Sequence, residues 1–388
     1  MKIAVVQRAN ARNVLSLSGT PYYATKALEE HVGEVVFVGS DNSRLTRGIE
    51  TAGLAFNRLI HPLFKRRIAP DHHRILANRL AHVFTSQVEA SGCDVIFAPN
   101  ASVEIASIKT KIPIVYYSDL NWADIVDYYP GCSSVFRFAR NEADRIDATA
   151  MRKSSALIYP SLWAAQTAIE HYHIEPSKVH YIPCGANFDK ADIPPADLAL
   201  QHSFESGVEL LWIGVDWNRK GGDIAFNCLV ELERRGVDAR LVICGCLPPE
   251  RYRHPKMRVI PFLNKHDPEQ RQQLSNLFLH ATFFLFPTMA EAYGIVLCEA
   301  SAHGLPSLVR NTGGVGGAIT DGANGYLMAP DAKGERYAEK IIEVIQQPAV
   351  YDGLVKASRE AYEQRLNWDA WGRSVKPIFM KAVGKQIH

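Results

Sequence analysis

Twelve short apolar runs, separated by helical patterns, constrain this chain more than any other feature. In the first half they are 2–6, 34–38, 94–98, 113–117, 156–159 and 178–182. In the second half they are 208–213, 239–244, 257–260, 282–286, 306–309 and 325–328. Most are continuously apolar and rich in Val, Ile and aromatic residues, as strands of a parallel sheet covered on both faces are. Two such series predict an α/β chain with two doubly wound domains. The expected domains are 1–190 and 207–366, joined by a linker at 191–206 that carries Pro194-Pro195. Residues 367–388 hold Trp368 and Trp371 in a helical pattern. Paired tryptophans need a large surface to bury them, so this tail is expected to pack on a domain face or along the seam. Ligands of such sheets bind beyond the carboxyl ends of the strands, which directs the search to a cleft between the two domains.

Size and charge narrow the function. A chain of 388 residues with 47% hydrophobic content has room for two cores. Its net charge of +2 gives no bulk field to recruit nucleic acid. No apolar run approaches the roughly 20 residues of a membrane span. Met1–Val6 enters a strand-like run directly, without a signal-peptide layout. The seven cysteines are scattered, and Cys244-Gly-Cys246 has the wrong spacing for a zinc pair. Buried thiols in a reducing cytoplasm account for them.

The chemistry-bearing stretches fall just after predicted strands. In Glu291-Ala-Tyr-Gly-Ile-Val-Leu-Cys-Glu299, two acids stand eight residues apart across a turn that opens an apolar helix. The helix N-terminus suits an anion, and carboxylates accept hydrogen bonds from sugar hydroxyls, so the pair fits a sugar nucleotide. Glu291 could instead offset the helix dipole. Glu299 sits among Ile295, Val296, Leu297, Cys298 and Ala300, where an acid needs a partner. The loop Gly214–Gly222 follows another strand, carries Asp216, Arg219 and Lys220, and leads to a helix capped by Gly222 or Asp223. Adjacent cations can stabilise a departing diphosphate; solvated charges in a turn are the plainer alternative. Gly19 and Thr20 precede a helix expected near Tyr22 and allow close backbone approach to a ligand. Asp119 follows the strand 113–117 and serves either the cleft or a helix cap.

Other signals are missing. There is no DxD acid pair for a divalent metal, no GxSxG elbow and no GxxxxGK[ST] phosphate loop. The stretch 58–82 carries Arg58, Lys65, Arg66, Arg67, Arg74 and Arg79 against Asp71, with apolar residues interleaved. It reads as a solvated helix pair with an ordinary core face, or as a segment lying on an anionic membrane surface.

Together these residues resemble the large fourth family of retaining glycosyltransferases, whose fold is GT-B: two facing Rossmann-like domains with an interdomain cleft. The acidic segment resembles the family's E-x7-E motif, and Arg219-Lys220-Gly221 its diphosphate-binding element, though many members space the two cations apart. Ile182-Pro-Cys-Gly-Ala-Asn-Phe-Asp189 resembles the segment closing the first domain. Thr312-Gly-Gly314 with Asp321-Gly-x-x-Gly-Tyr326 resembles a late glycine turn. The resemblance implies an enzyme moving a hexose from a nucleoside-diphosphate sugar, UDP favoured over GDP, to a hydroxyl acceptor such as a glycan, glycolipid or small molecule. It implies a place in polysaccharide or glycoconjugate synthesis, with no cofactor and no metal; the sequence start and thiols point to the cytoplasm, and the basic stretch 58–82 to peripheral contact with the inner membrane face.

By the same resemblance Glu299 would hold the nucleotide ribose. Glu291 would contact the transferred sugar, beside the backbone of Ala292, Tyr293, Gly294 and Ile295. Arg219 and Lys220 would neutralise the diphosphate, and Gly19, Thr20, Gly214 and Asp216 would line the donor. Phe262 and Leu263 would border the base. Asp119 stands where many members carry a histidine and would contact sugar or acceptor. The rival readings are another GT-B enzyme, such as a sugar-nucleotide epimerase or a phosphorylase, and a non-catalytic nucleotide-binding scaffold.

Overall fold

The computed structural model describes residues 1–8, 16–38 and 43–385. It forms two compact units, Met1–Ile182 with Trp371–His388, and Pro183–Ala370. In the first unit the strands are β1 (Lys2–Val6), β2 (Glu34–Val38), β3 (Val95–Pro99), β4 (Ile114–Tyr117), β5 (Ala156–Tyr159) and β6 (Val179–Tyr181). They pair in parallel, in the order β2-β1-β3-β4-β5-β6. Alternation sends Ala4, Val6, Ile96, Ala98, Leu157 and Tyr159 to one sheet face, where they form a core with Leu76, Leu80, Phe84 and Val88 of the helix Arg74–Ser91. On the other side, Phe97 and Tyr117 pack their rings against Trp371, at 6.2 and 5.9 Å between centroids.

The second unit holds β7 (Val208–Ile213), β8 (Ala239–Cys244), β9 (Met257–Ile260), β10 (Phe283–Phe286), β11 (Ser307–Arg310) and β12 (Gly325–Met328). Their order is β12-β11-β10-β7-β8-β9, again parallel. This is the 3-2-1-4-5-6 order of dinucleotide-binding sheets, and the order reverses between β7 and β10. Ligands of such sheets bind at that switch point, beyond the carboxyl ends of the two strands. Leu210, Trp212, Leu241, Ile243, Phe283 and Leu285 make the core with Ile224, Leu229 and Leu232 of the helix Gly222–Arg234.

All twelve runs form strands, with ends shifted by no more than one residue. One expectation about organisation changes. Residues 191–206 belong to the second unit rather than to a free linker. There the Pro194 carbonyl accepts from Arg359 at 2.8 Å, and buried His202 meets the carbonyls of Ala281 and His303 at 2.8 and 2.7 Å. The tail helix Trp368–Ala382 is shared: Trp368 donates its indole N–H to Asn187 at 3.0 Å in the second unit, while Trp371 is fully buried in the first. All seven cysteines are free thiols, five of them buried. Among the described residues no helix is long and apolar enough to cross a membrane.

Candidate active site

The loop after β7 is held by its own polar groups. Asp216 accepts the Arg219 backbone N–H through its carboxylate at 3.0 Å and the Lys220 N–H through its carbonyl at 3.0 Å, the self-capped turn that Asp favours. Gly221 caps the helix Gly222–Arg234 in a left-handed conformation, φ 68°, rather than Gly222 or Asp223. A Cβ at Gly221 would stand 2.1 Å from the Pro287 carbonyl oxygen, so the glycine lets this loop lie directly on the segment after β10. The Met289 amide donates to the Arg219 carbonyl at 2.7 Å and seals that contact.

This close approach brings both cations to Glu291. Arg219 donates to the Ala290 carbonyl at 3.0 Å and stands 3.7 Å from the Glu291 carboxylate. Lys220 hydrogen bonds the same carboxylate oxygen and lies 4.6 Å from the centre of the Phe286 ring. Burial pushes the Lys220 ammonium below its ordinary range, and the Glu291 carboxylate pulls it back up. The backbone at Glu291 is braced in turn by the Gly314 amide, which donates to its carbonyl at 3.3 Å.

Gly294 caps the helix Ile295–Ala302 at φ 84°. Ala292 and Tyr293 are buried, and the Tyr293 hydroxyl points inward to Cys184 and Cys298. The segment Ala292–Ile295 therefore offers a ligand its backbone and the helix N-terminus more than its side chains.

Glu299 lies one turn into that helix and is 2% exposed. Its carboxylate hydrogen bonds the Lys265 ammonium, from the loop that follows β9. Burial raises the Glu299 pKa, while Lys265 and a backbone hydrogen bond from Asn187 lower it. Its own carbonyl accepts from His303 at 2.8 Å. Phe262 and Leu263 stand at the end of β9, Phe262 more than half exposed.

The second unit thus gathers Gly214, Asp216, Arg219, Lys220, Glu291, Gly294 and Glu299 at the carboxyl ends of β7 and β10. Asp216 serves chiefly to shape the turn. Lys265 and Asn187 escaped the sequence reading. Asn187 lies in a quoted motif, but Lys265 sits in the polar run Asn264-Lys-His-Asp267, where nothing distinguishes it from a solvated lysine. The remaining candidates lie in the first unit. Gly19, φ 87°, caps the helix Thr20–His31, which starts two residues earlier than expected. Asp119 follows β4 and accepts from the Asn100 side chain at 3.0 Å, while the short helix after it is capped by Asn121.

Comparison with known proteins bears on the family and the fold. Residues 22–190 match the model of "Glycosyltransferase Family 4", and residues 202–363 that of "Glycosyl transferases group 1". A D-inositol 3-phosphate glycosyltransferase of Streptomyces scabiei is 23% identical over 60% of this chain and 55% of its own length. A glycogen synthase of Mycobacterium tuberculosis is 27% identical over 45% of this chain and 42% of its own. The chain thus spans about half the length of the curated relatives it matches. Among solved structures, a Rickettsia africae glycosyltransferase superposes with a TM-score of 0.65 at 14% identity, covering 99% of both chains. Anabaena HepE in complex with UDP and glucose gives 0.63 at 16% identity, over 98% of this chain and all of that one. With a glycosyltransferase family model matched in each half and a two-sheet parallel fold like that of these neighbours, the chain is a family-4-like glycosyltransferase of GT-B fold.

Proposed function

We propose that this protein transfers a hexose from a nucleoside-diphosphate sugar to a hydroxyl acceptor with retention at the anomeric carbon. The observation that carries the reading is the convergence of Arg219 and Lys220 on Glu291 at the switch point of the second sheet. In this reading the two cations take the donor diphosphate. The bond between the anomeric carbon and the β-phosphate oxygen breaks, and the acceptor oxygen bonds to that carbon on the same face. The acceptor's proton passes to the departing phosphate oxygen. Charge that grows on the leaving group is met by cations already in place, which act more strongly on the transition state than on the bound donor.

Glu291 holds the cations and accepts from hydroxyls of the transferred sugar. Glu299 accepts from the ribose hydroxyls, and Phe262 and Leu263 border the base. The backbone of Ala292–Ile295 lies along the sugar and phosphate. We assign Gly19, Thr20 and Asp119 of the first unit to donor approach and acceptor contact. No metal enters the step, since the charge it would neutralise already faces two basic side chains and the chain carries no DxD pair. UDP is the favoured nucleotide.

The test is a panel of UDP- and GDP-sugars incubated with the full chain and a pool of glycan and glycolipid acceptors. Release of nucleoside diphosphate and the configuration of the product are followed. Retained configuration in an acceptor-dependent reaction supports the reading, with Arg219→Ala and Glu299→Ala folded but inactive. Full turnover in both variants would remove the site assignment.

A further inference from the structure

The helix Arg44–Phe64 of the first unit has two unlike long faces. Its inner face is set by buried Thr46 and Ile60. Gly53 lies against Pro70, where an added Cβ would come within 2.7 Å of the proline ring. Asn57 grips Ile68 twice, donating to its carbonyl at 3.0 Å and accepting from its amide at 2.7 Å. These contacts fix the rotation of the helix. At 3.6 residues per turn, Leu45, Ala52, Phe56, Leu59 and Leu63 then fall within a stripe about 60° wide, off the inner face. That stripe is open: Leu45 is 58%, Leu59 70% and Leu63 76% exposed. It runs on at the helix end through Phe64 and Phe138, both exposed, with Phe136 between them at 6.0 and 5.6 Å.

The outer surface beside the stripe carries cations around one further exposed apolar residue, Leu54. Arg44, Arg47 and Arg58 flank the stripe on one side, and exposed Lys65 and Arg66 follow the helix. Arg44 and Arg47 border a shallow groove of about 640 Å³ floored by Gly48, Thr51, Ala52 and Ala55. The one acid in this helix, Glu50, is paired with Arg8 at 2.6 Å. An open apolar stripe beside cations and no free acid is the layout of a helix that lies in the plane of a membrane interface.

We infer that the Arg44–Phe64 helix docks the protein on a membrane surface bearing anionic phospholipids. Leu45, Phe56, Leu59 and Leu63 enter the boundary of the acyl chains. Arg44, Arg47, Arg58, Lys65 and Arg66 meet the headgroup phosphates. The charge pattern selects this occupant over a second copy of the chain. A two-fold contact through the stripe would set the cations of one copy against those of the other, with Glu50 already engaged. The inference goes beyond glycosyl transfer and does not depend on it. It also moves the contact expected at 58–82 upstream. Leu76, Ala77, Leu80 and Ala81 in the second half of that stretch are buried, and only Arg58–Phe64 belongs to the docking helix.

The test is co-sedimentation of the full chain with vesicles of phosphatidylcholine alone and of phosphatidylcholine mixed with phosphatidylglycerol, at low and high salt. Binding is expected to the mixed vesicles and to weaken with salt. Leu59→Ser/Leu63→Ser and, separately, Arg44→Gln/Arg47→Gln should each lower partitioning by about tenfold or more with an unchanged melting temperature. Both pairs are exposed, so loss of folding in one still leaves the other to decide. The inference is overturned by equal binding to the two vesicle types, by no binding to either, or by variants that bind like the parent. A lipid-free dimer abolished by the leucine variant would overturn it too, by assigning the stripe to a second copy.

Discussion

Lys265, from the loop after β9, hydrogen bonds the buried carboxylate of Glu299 in the helix after β10. A carboxylate 2% exposed among apolar neighbours is costly when charged and alone, and Lys265 offsets that cost. Removing the ammonium leaves the acid without it, so Lys265→Met should destabilise the protein by about 1–3 kcal/mol at neutral pH. The sign with pH follows from the raised Glu299 pKa, which climbs further in the variant. A raised folded-state pKa means the stability deficit grows as pH rises through the carboxylate range and shrinks in acid. Melting temperatures of parent and variant should therefore converge at low pH, and Lys265→Met/Glu299→Gln should recover part of the loss at neutral pH. A deficit that is the same at every pH would show that the pair does not govern the Glu299 charge.

Lys220 and Glu291 make a prediction about rate. Burial lowers the Lys220 pKa and the Glu291 charge raises it. Glu291→Gln removes the support, so the ammonium loses its proton at lower pH. If protonated Lys220 stabilises the leaving diphosphate, the basic limb of the pH profile of kcat/KM should move toward neutrality in Glu291→Gln. Arg219→Ala should cost about 100- to 1000-fold in kcat, the range for removing one charge-stabilising donor. A basic limb unmoved by Glu291→Gln would separate Lys220 from the reaction.

Much of this was legible in the sequence, for a physical reason. Strands buried on both faces write themselves as unbroken apolar runs, so all twelve could be placed. Residues just past their ends, such as Arg219 and Glu291, inherit their location from the sheet. What the sequence withheld depends on contacts between distant segments. Position 221 needs glycine because the Pro287 carbonyl, from a distant segment, stands where a Cβ would go. Lys265 looks like any polar-loop lysine until Glu299 is found opposite. The stretch around Pro194-Pro195 reads as a linker because its anchor, Arg359, lies 165 residues away.

Gly221 is itself open to test. Alanine at φ 68° is strained, and its methyl would stand 2.1 Å from the Pro287 oxygen. Gly221→Ala should cost about 2–4 kcal/mol, combining backbone strain with forced separation of two packed segments. Separation should also pull Arg219 and Lys220 from Glu291, so activity should fall further than the lost stability explains. Gly236→Ala is the control, since it shares a positive φ of 81° with open space around it. Equal losses of stability and activity in the two variants would show that the close approach to Pro287 is unimportant.

His303 fixes the last prediction. It is fully buried, donates from Nδ1 to the Glu299 carbonyl at 2.8 Å, and accepts at Nε2 from the Ser275 hydroxyl at 2.8 Å. The carbonyl can only accept, so the neutral ring must carry its proton on Nδ1. Burial pushes the His303 pKa down to about 4, helped by nearby basic groups and opposed by the hydrogen bond to the Glu299 carbonyl. A histidine with a lowered folded-state pKa is protonated more readily in the unfolded chain. Its contribution is therefore complete above about pH 6.5 and is lost as pH falls toward 4, by about 3 kcal/mol in all. Buried His202, also shifted down by burial, acts in the same direction, so the comparison must be between variants. His303→Gln should start with a lower melting temperature at pH 7 and fall less steeply between pH 6.5 and 4 than the parent. Parallel curves would mean that the ring is protonated in the folded protein as easily as in the unfolded chain, and that burial does not hold it neutral behind the Glu299 helix.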